Sequence, residues 1–266
     1  MASGYSETGR TVSIGRIFSR TFGAIGSNPA VMLLIAFVIG ALPQTVISYY
    51  QQTLEGPMRA GLVRQRDYYI VMILGLLANM VLGLIVQGGL VRATMTAAEG
   101  HRATLGECLS TGLRRALPLL GLAIVMGLGL ILGFALLIVP GVILYLVWSV
   151  AVPVTVVERR GVIESLGRSG ELTKGARGTI FALFVIVWAI MLAATMVASA
   201  AVMAIYGLQG FARALQSGLP VAFFIVNGVV TTLVSVFTSA LPTALYVELR
   251  DWKEGPTGET LSDIFA

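Results

Sequence analysis

A chain of 266 residues that is 56% hydrophobic and only 12% charged, with a mean hydropathy of +0.88, cannot clothe a globular surface in polar side chains. Soluble domains carry about 25% charged residues, so lipid must be the solvent for much of this chain. The net charge of +5 and pI near 9.7 come from basic residues spread over several loops, which excludes a nucleic-acid-binding stripe and points to anionic headgroups.

The 18 basic and 13 acidic residues fall in 7–20, 55–67, 92–115, 158–177 and 248–266, with Arg213 alone outside these segments. The long gaps between them are wide enough for spans of about 20 apolar residues. Taken in chain order, residues 1–9 are polar. Residues 12–26 predict an amphipathic helix, with Ile14, Ile17, Phe18, Phe22 and Ile25 on one face and Ser13, Arg16 and Arg20 on the other. Such a helix lies in the membrane interface. Asn28-Pro29 then caps and opens the first span, 29–50. The second span is 68–91. Thr104-Leu105-Gly106-Glu107 opens another amphipathic stretch with a capping-box pattern, carrying Leu105, Cys108, Leu109, Leu113 and Ala116. Pro118 follows it, and the charge-free stretch 116–157 divides into spans 117–139 and 142–157 at a turn through Val139-Pro140-Gly141. A weaker amphipathic stretch begins at Ser165-Leu166-Gly167-Arg168. The last spans are 179–206 and 219–247. The fold class is therefore an all-α integral membrane protein with six transmembrane helices in three hairpins, each hairpin preceded by an amphipathic interfacial helix.

Orientation follows from Lys and Arg in short loops. With the N-terminus inside, 14 of the 18 basic residues are cytoplasmic, and only Arg59, Arg64, Arg66 and Arg213 lie outside. Both termini are expected in the cytoplasm, with no signal peptide, because 28 residues precede the first apolar run. Arg outnumbers Lys 16 to 2 in an Ala- and Gly-rich chain, which suits a GC-rich bacterial genome and places the protein in a bacterial inner membrane. Tyr49, Tyr50, Tyr68, Tyr69 and Tyr206 fit an outer aromatic belt, and Tyr246 and Trp252 an inner one.

A threefold repeat is legible. Units of about 12–99, 104–158 and 165–248 each pair an amphipathic stretch with a hairpin ending in a glutamate: Glu99, Glu158 and Glu248. Chance matching of small and apolar residues is the competing explanation. The units form a single polytopic domain, 1–250, followed by a cytoplasmic tail, 251–266. Within that tail 260–265 either docks or, more simply, frays.

The segments Pro140-Gly141-Val142-Ile143-Leu144, Ala151-Val152-Pro153-Val154-Thr155-Val156-Val157-Glu158 and Glu164-Ser165-Leu166-Gly167-Arg168-Ser169-Gly170-Glu171-Leu172-Thr173-Lys174-Gly175 resemble a bacterial family. It is the glycerophosphoryl diester phosphodiesterase membrane-domain-like family, related to YciC-like inner-membrane proteins. The match is best over 140–185 and looser over 12–250. The resemblance implies a polytopic protein, and in some members a separate catalytic barrel follows the membrane domain. The chain ends at Ala266, so that barrel is not expected here.

The residues offer little chemistry. His101-Arg102 resembles the start of phosphodiester-hydrolysing barrels, but Ala103 follows where Gly would stand and there is no second histidine. Metal-assisted cleavage needs clustered ligands. Cys108 is the one cysteine, which excludes an intramolecular disulfide, and it reads as a small hydrophobe. The three glutamates read as solvated charges at helix ends. No catalytic, cofactor or metal residue is expected. No ionisable residue lies at membrane depth, which argues against proton or voltage coupling.

What remains is a weakly polar pattern. Gly75, Asn79, Gly83 and Gln87 recur every fourth residue in the second span, and Asn227, Thr231, Ser235, Ser239 and Thr243 in the sixth. Gly129 and Gly133, and Ala189, Ala193 and Val197, show similar spacing. Such stripes mark helix seams or a solute path, and Asn79, Gln87, Asn227, Thr231, Ser235 and Ser239 are the candidate residues for either. Arg16, Arg20, Arg114 and Arg115 are candidate contacts to anionic lipid headgroups. The leading expectation is a non-enzymatic accessory, structural or envelope-maintenance protein whose partners are membrane lipids, other membrane proteins or itself. The alternative is a passive carrier or binder of a lipid or small hydrophobic solute, and a continuous polar cavity would separate the two. In a Cys108→Ser background, cysteines at Met58 or Gln209 should label from outside intact cells and a cysteine at Ser6 should stay protected; outside labelling at Ser6 would reverse the orientation.

Overall fold

The structure is a computed structural model that describes residues 11–217 and 219–255, without the side chains of 198, 199, 201–203, 205, 206, 208–217 and 222. The expectations for the Tyr206 and Arg213 side chains and for 260–265 lie outside the described residues. Among those described, all regular structure is helical. Six stretches are long and apolar enough to cross a membrane: Pro29–Arg59, Gln65–Ala98, Leu105–Leu136, Ile138–Val157, Arg177–Val197 and Phe223–Glu254. The chain is an all-α, multi-pass membrane protein.

Helix α1 (Ile14–Ser27) is the first amphipathic helix, burying Ile17, Thr21 and Ala24. Asn28, at φ −144° and ψ 51°, breaks the chain between α1 and the first span. Its side chain does not cap the span, as the sequence predicts, but donates to Ala103 O at 2.8 Å, tying this joint to the loop after the second span. The first span comprises α2 (Pro29–Ile35), a π-helical turn (Ala36–Ala41) and α3 (Leu42–Arg59). Pro43 explains the wide turn: it has no N–H and its ring crowds the preceding turn, and the Leu42 N–H reaches back to Phe37 O.

The second span is α4 (Gln65–Ala98), the central helix, which packs against α1, the first span, α5 (Leu105–Leu136) and α10 (Val221–Glu254). The second amphipathic stretch is not a separate helix. It forms the start of α5, which continues through Pro118 into the third span, because this junction has no Asn28-like break. Thr104 caps α5 as its sequence predicts, accepting the Glu107 N–H at 3.3 Å. The turn to the fourth span lies at Leu137 (φ −165°, ψ 153°) rather than at Val139-Pro140-Gly141. Pro140 occupies the first turn of α6 (Ile138–Val147), where no intrahelical donor is required.

Pro153 breaks the fourth span into α6 and α7 (Ala151–Val157), since it cannot donate and it crowds the carbonyl four residues back. The freed backbone groups are taken up by α8 (Val162–Thr173), the third amphipathic helix. Ser169 Oγ donates to Val147 O at 2.7 Å and accepts the Val150 N–H at 3.3 Å. A bilayer offers no other partner for such groups. Helix α8 begins at Val162, so Ser165 sits inside it and not at its cap. The last hairpin is α9 (Arg177–Ser217), broken at Gly207 with φ 65°, and α10.

Packing is uneven along the membrane normal. In α4 the buried residues run from Leu84 to Thr96, with Gly75 the one exception. In α9 Ile180 and Leu183 are fully buried, whereas Ala189, Ala193 and Val197 are exposed. The helices are packed tightly at the face carrying Glu158 and Glu248, termed here the basic face, and loosely beyond it. The tight crossings run through glycines. A Cβ on Gly88 would sit 3.0 Å from Gly112 Cα, and one on Gly112 would overlap the Ile85 carbonyl. A Cβ on Gly133 would sit 3.1 Å from Gly141 Cα across the α5–α6 turn. Gly83, by contrast, meets open space. Gly112→Ala should therefore lower stability by about 2 kcal/mol through overpacking, while Gly83→Ala should leave it unchanged or slightly raised. Thermal unfolding of the two purified variants checks this.

Candidate functional site

Among the described residues, cavities at membrane depth include two that share a wall. The first, about 250 Å³, opens between α4, α10 and the π-turn of the first span. Asn79 and Gln87 line it from α4, Thr231, Ser235 and Ser239 from α10, and Gly40 and Gln44 from the first span. The second, about 230 Å³, is framed by Met126, Tyr145, Trp148, Ser149, Pro153 and Phe184, the broken fourth span among its walls. Gln87, Thr238 and Ser239 are walls of both. The stripes of the second and sixth spans thus do not close on each other along their whole length.

The lining separates into satisfied and unsatisfied groups. Thr231 donates to Asn227 Oδ1 at 3.3 Å and Thr238 to Val234 O at 2.8 Å, one turn back on their own helix. The amides of Gln44, Asn79 and Gln87 have no hydrogen-bond partner among the described residues. An amide left unpaired in hydrocarbon is costly, so these groups suit water or the polar part of a bound amphiphile. Asn227, which the sequence places in the same stripe, is exposed beyond the cavity wall.

At the basic face, Glu248 in α10 is nearly enclosed, its side chain 4% exposed. Arg16 binds it at 2.7 Å, Arg20 lies at 3.6 Å, and the Ser13 N–H donates to it at 3.3 Å. Arg20 also holds Asp251 at 2.8 Å. Glu158, at the end of α7, takes Arg160 at 2.7 Å, Arg168 at 3.2 Å and the Tyr246 hydroxyl at 3.1 Å. Arg168 pairs with Glu254 as well. Burial alone would lower the Arg168 pKa, but hydrogen bonds to Glu254 and Glu158 raise it above its ordinary value. Glu158 and Glu248 are therefore not solvated helix-end charges, and Tyr246 is not a belt residue: it is 1% exposed. Sequence reasoning missed these roles because most of the partners are far apart in the chain, up to 235 residues for Ser13 and Glu248. The hairpin-end glutamates and the arginines in and before the amphipathic helices are the signal the sequence offers.

Arg16 and Arg20 thus turn onto carboxylates, while Arg114 and Arg115 lie on the same face away from both clusters. Cys108 is buried in a core with Met32, Ile35 and Leu90, and His101 is exposed in the loop after α4. Among the described residues no group of three or more His, Cys, Asp or Glu is placed to hold a metal.

A family model described as a domain of unknown function (DUF7847) matches residues 12–249. No curated protein and no solved structure matches the chain.

Removing one partner of a buried ion pair costs about 3–5 kcal/mol, and the half-exposed Arg16 moderates that figure. Glu248→Gln should lower unfolding stability by about 2 kcal/mol, whereas Glu55→Gln, which pairs with the exposed Arg59, should be neutral. Chemical or thermal unfolding in detergent separates the two.

Proposed function

The chain belongs to the DUF7847 family, a domain of unknown function, and we propose that it is a non-enzymatic multi-pass protein of the bacterial inner membrane that binds a lipid or small amphiphile between its helices. The basic face is assigned to the cytoplasm, with both termini on that side, on the distribution of Lys and Arg. The observation that carries the reading is the set of cavity-lining amides, Gln44, Asn79 and Gln87, left without partners among the described residues at membrane depth. A helix seam built only for packing would close over such groups or pair them. Gly83 supports the same reading: it lines the cavity and leaves space. The resemblance to the glycerophosphoryl diester phosphodiesterase membrane-domain-like and YciC-like proteins is compatible with a polytopic membrane module.

The second reading is the accessory or envelope-maintenance factor that associates with other membrane proteins. It is favoured by the apolar face of α9, on which Trp188, Met196 and Val197 are exposed.

A photo-crosslinkable phosphatidylcholine with a diazirine in its acyl chain, incorporated into nanodiscs with the purified protein, tests the first reading. Crosslinks should concentrate on α4 and α10 peptides around the cavity. Asn79→Leu with Gln87→Leu should cut them several-fold at an unchanged melting temperature, and Asn227→Leu should not. Crosslinking that is uniform over the lipid-facing surface and indifferent to the double variant would favour the accessory reading.

A further inference from the structure

The three amphipathic helices occupy corresponding places. Each packs on the helix that ends a hairpin: α1 on α10, α5 on α4, and α8 on α7. Counted from their caps Ser13, Thr104 and Gly161, the seventh residue is Arg20, Thr111 and Arg168, and the third is Arg16, Glu107 and Glu164. At two of the three seams arginine meets the hairpin-end glutamate and the charges balance. Arg16 and Arg20 stand against Glu248 and Asp251. Arg160 and Arg168 stand against Glu158 and Glu254, with the exposed Glu171 at the margin.

The third seam breaks the pattern. Its hairpin-end residue is Glu99, and the positions that hold arginine elsewhere are Glu107 and Thr111. In place of a clamp there is a cavity of about 440 Å³ between α4, α5 and the end of α7. Arg92, Arg114, Arg115 and Arg159 line it, with Glu99 and Glu107, so four guanidinium groups face two carboxylates. None of the six forms an ion pair within 4.0 Å among the described residues. Arg159 is, among those residues, the one non-glycine with positive φ, 57°, a conformation that needs a compensating reason. It splits a pair of neighbouring arginines: Arg160 joins the Glu158 cluster and Arg159 joins this cavity.

We propose that this cavity binds a phosphate ester, held by Arg115 and Arg159 with Arg92 and Arg114 alongside, and that its natural source is a phospholipid headgroup. An excess of two guanidinium charges matches the dianionic limit of a phosphomonoester, and planar guanidinium forks suit phosphate oxygens. Met95, Val156 and Val157 in the wall, and the exposed Leu113 and Leu117 beside Arg114 and Arg115, suit the glycerol and acyl portions. The site lies outside the membrane-depth cavities and stands whether or not those bind an amphiphile.

The test uses the full-length protein in mixed micelles of phosphatidylcholine with a minor fraction of phosphatidic acid, read by native mass spectrometry. One phosphatidic acid should be retained per chain. Arg115→Gln with Arg159→Gln should reduce retention at least tenfold. Lys174→Gln with Arg177→Gln, the same charge loss elsewhere on the basic face, should leave it intact, as should Asn79→Leu with Gln87→Leu. Arg115→Lys keeps the charge but loses the fork and should reduce retention several-fold. A parallel arm adds soluble glycerol 3-phosphate: displacement of the lipid would show that the phosphate ester alone suffices, and failure to displace that the acyl-bearing molecule is required. Equal losses from the two arginine and lysine–arginine pairs, or no retention by the folded wild-type protein, would overturn the proposal.

Discussion

The enclosed carboxylate of Glu248 is the constraint on which the arrangement of this bundle depends. It lies in the last span, 232 residues after Arg16, and it is paired with two arginines of the first helix. A lone carboxylate in that position would carry a heavy desolvation cost. Helix α1 cannot drift along the membrane surface; it is drawn across α10, and its apolar face then covers α4. The Glu158 cluster does the same for α8, and through Tyr246 and Glu254 it reaches back to α10. The chain is thus closed into a ring at one face by charges, while the apolar spans are left to lipid.

Much of this was legible. Charge-free stretches locate all six spans because the bilayer penalises charge at depth so strongly. The amphipathic periods of 12–26 and 104–116 follow from the interface they occupy. What failed were details decided by tertiary partners. The sequence predicts a cap at Asn28 because Asn is a good one, but Ala103 O lies within its reach and outcompetes the local bond. It predicts the turn at Pro140 because proline ends helices, yet proline equally suits a first turn, and Leu137 takes the extended conformation instead. The pairing of Glu158 and Glu248 could not be read from local sequence. It appears only when the repeat is taken as a ring whose last unit meets its first. Of the candidate polar stripe, Asn79, Gln87, Thr231, Ser235 and Ser239 converge on one cavity, and Asn227 does not, since one more turn along α10 carries it past the wall.

The fourth span shows how a broken helix is tolerated in hydrocarbon. Pro153 removes a donor and frees carbonyls, and Ser169 of α8 supplies both a donor and an acceptor at the gap. An amphipathic helix that would otherwise only line the interface thereby becomes part of a span's hydrogen bonding. The break in turn places Trp148 and Ser149 in the wall of the second cavity. The π-turn of the first span does the comparable service for Pro43 and brings Gly40 to the first cavity. The breaks at Pro43 and Pro153 both lie where protein or an enclosed space adjoins them, as membrane chemistry requires.

The middle hairpin differs from its neighbours at the far end. The turn after the first span carries Arg59, Arg64 and Arg66, but Leu136, Leu137, Ile138 and Val139 are each between 67% and 77% exposed and have no polar residue among them. Such a tip is stabilised by acyl chains and destabilised by headgroups. It therefore stops at the hydrocarbon boundary, and the bilayer must meet it there, since a bilayer deforms at a modest cost per ångström of mismatch. The reach of the middle hairpin toward the far headgroups is thus set by the length of α5 and α6 and not by an anchoring polar loop.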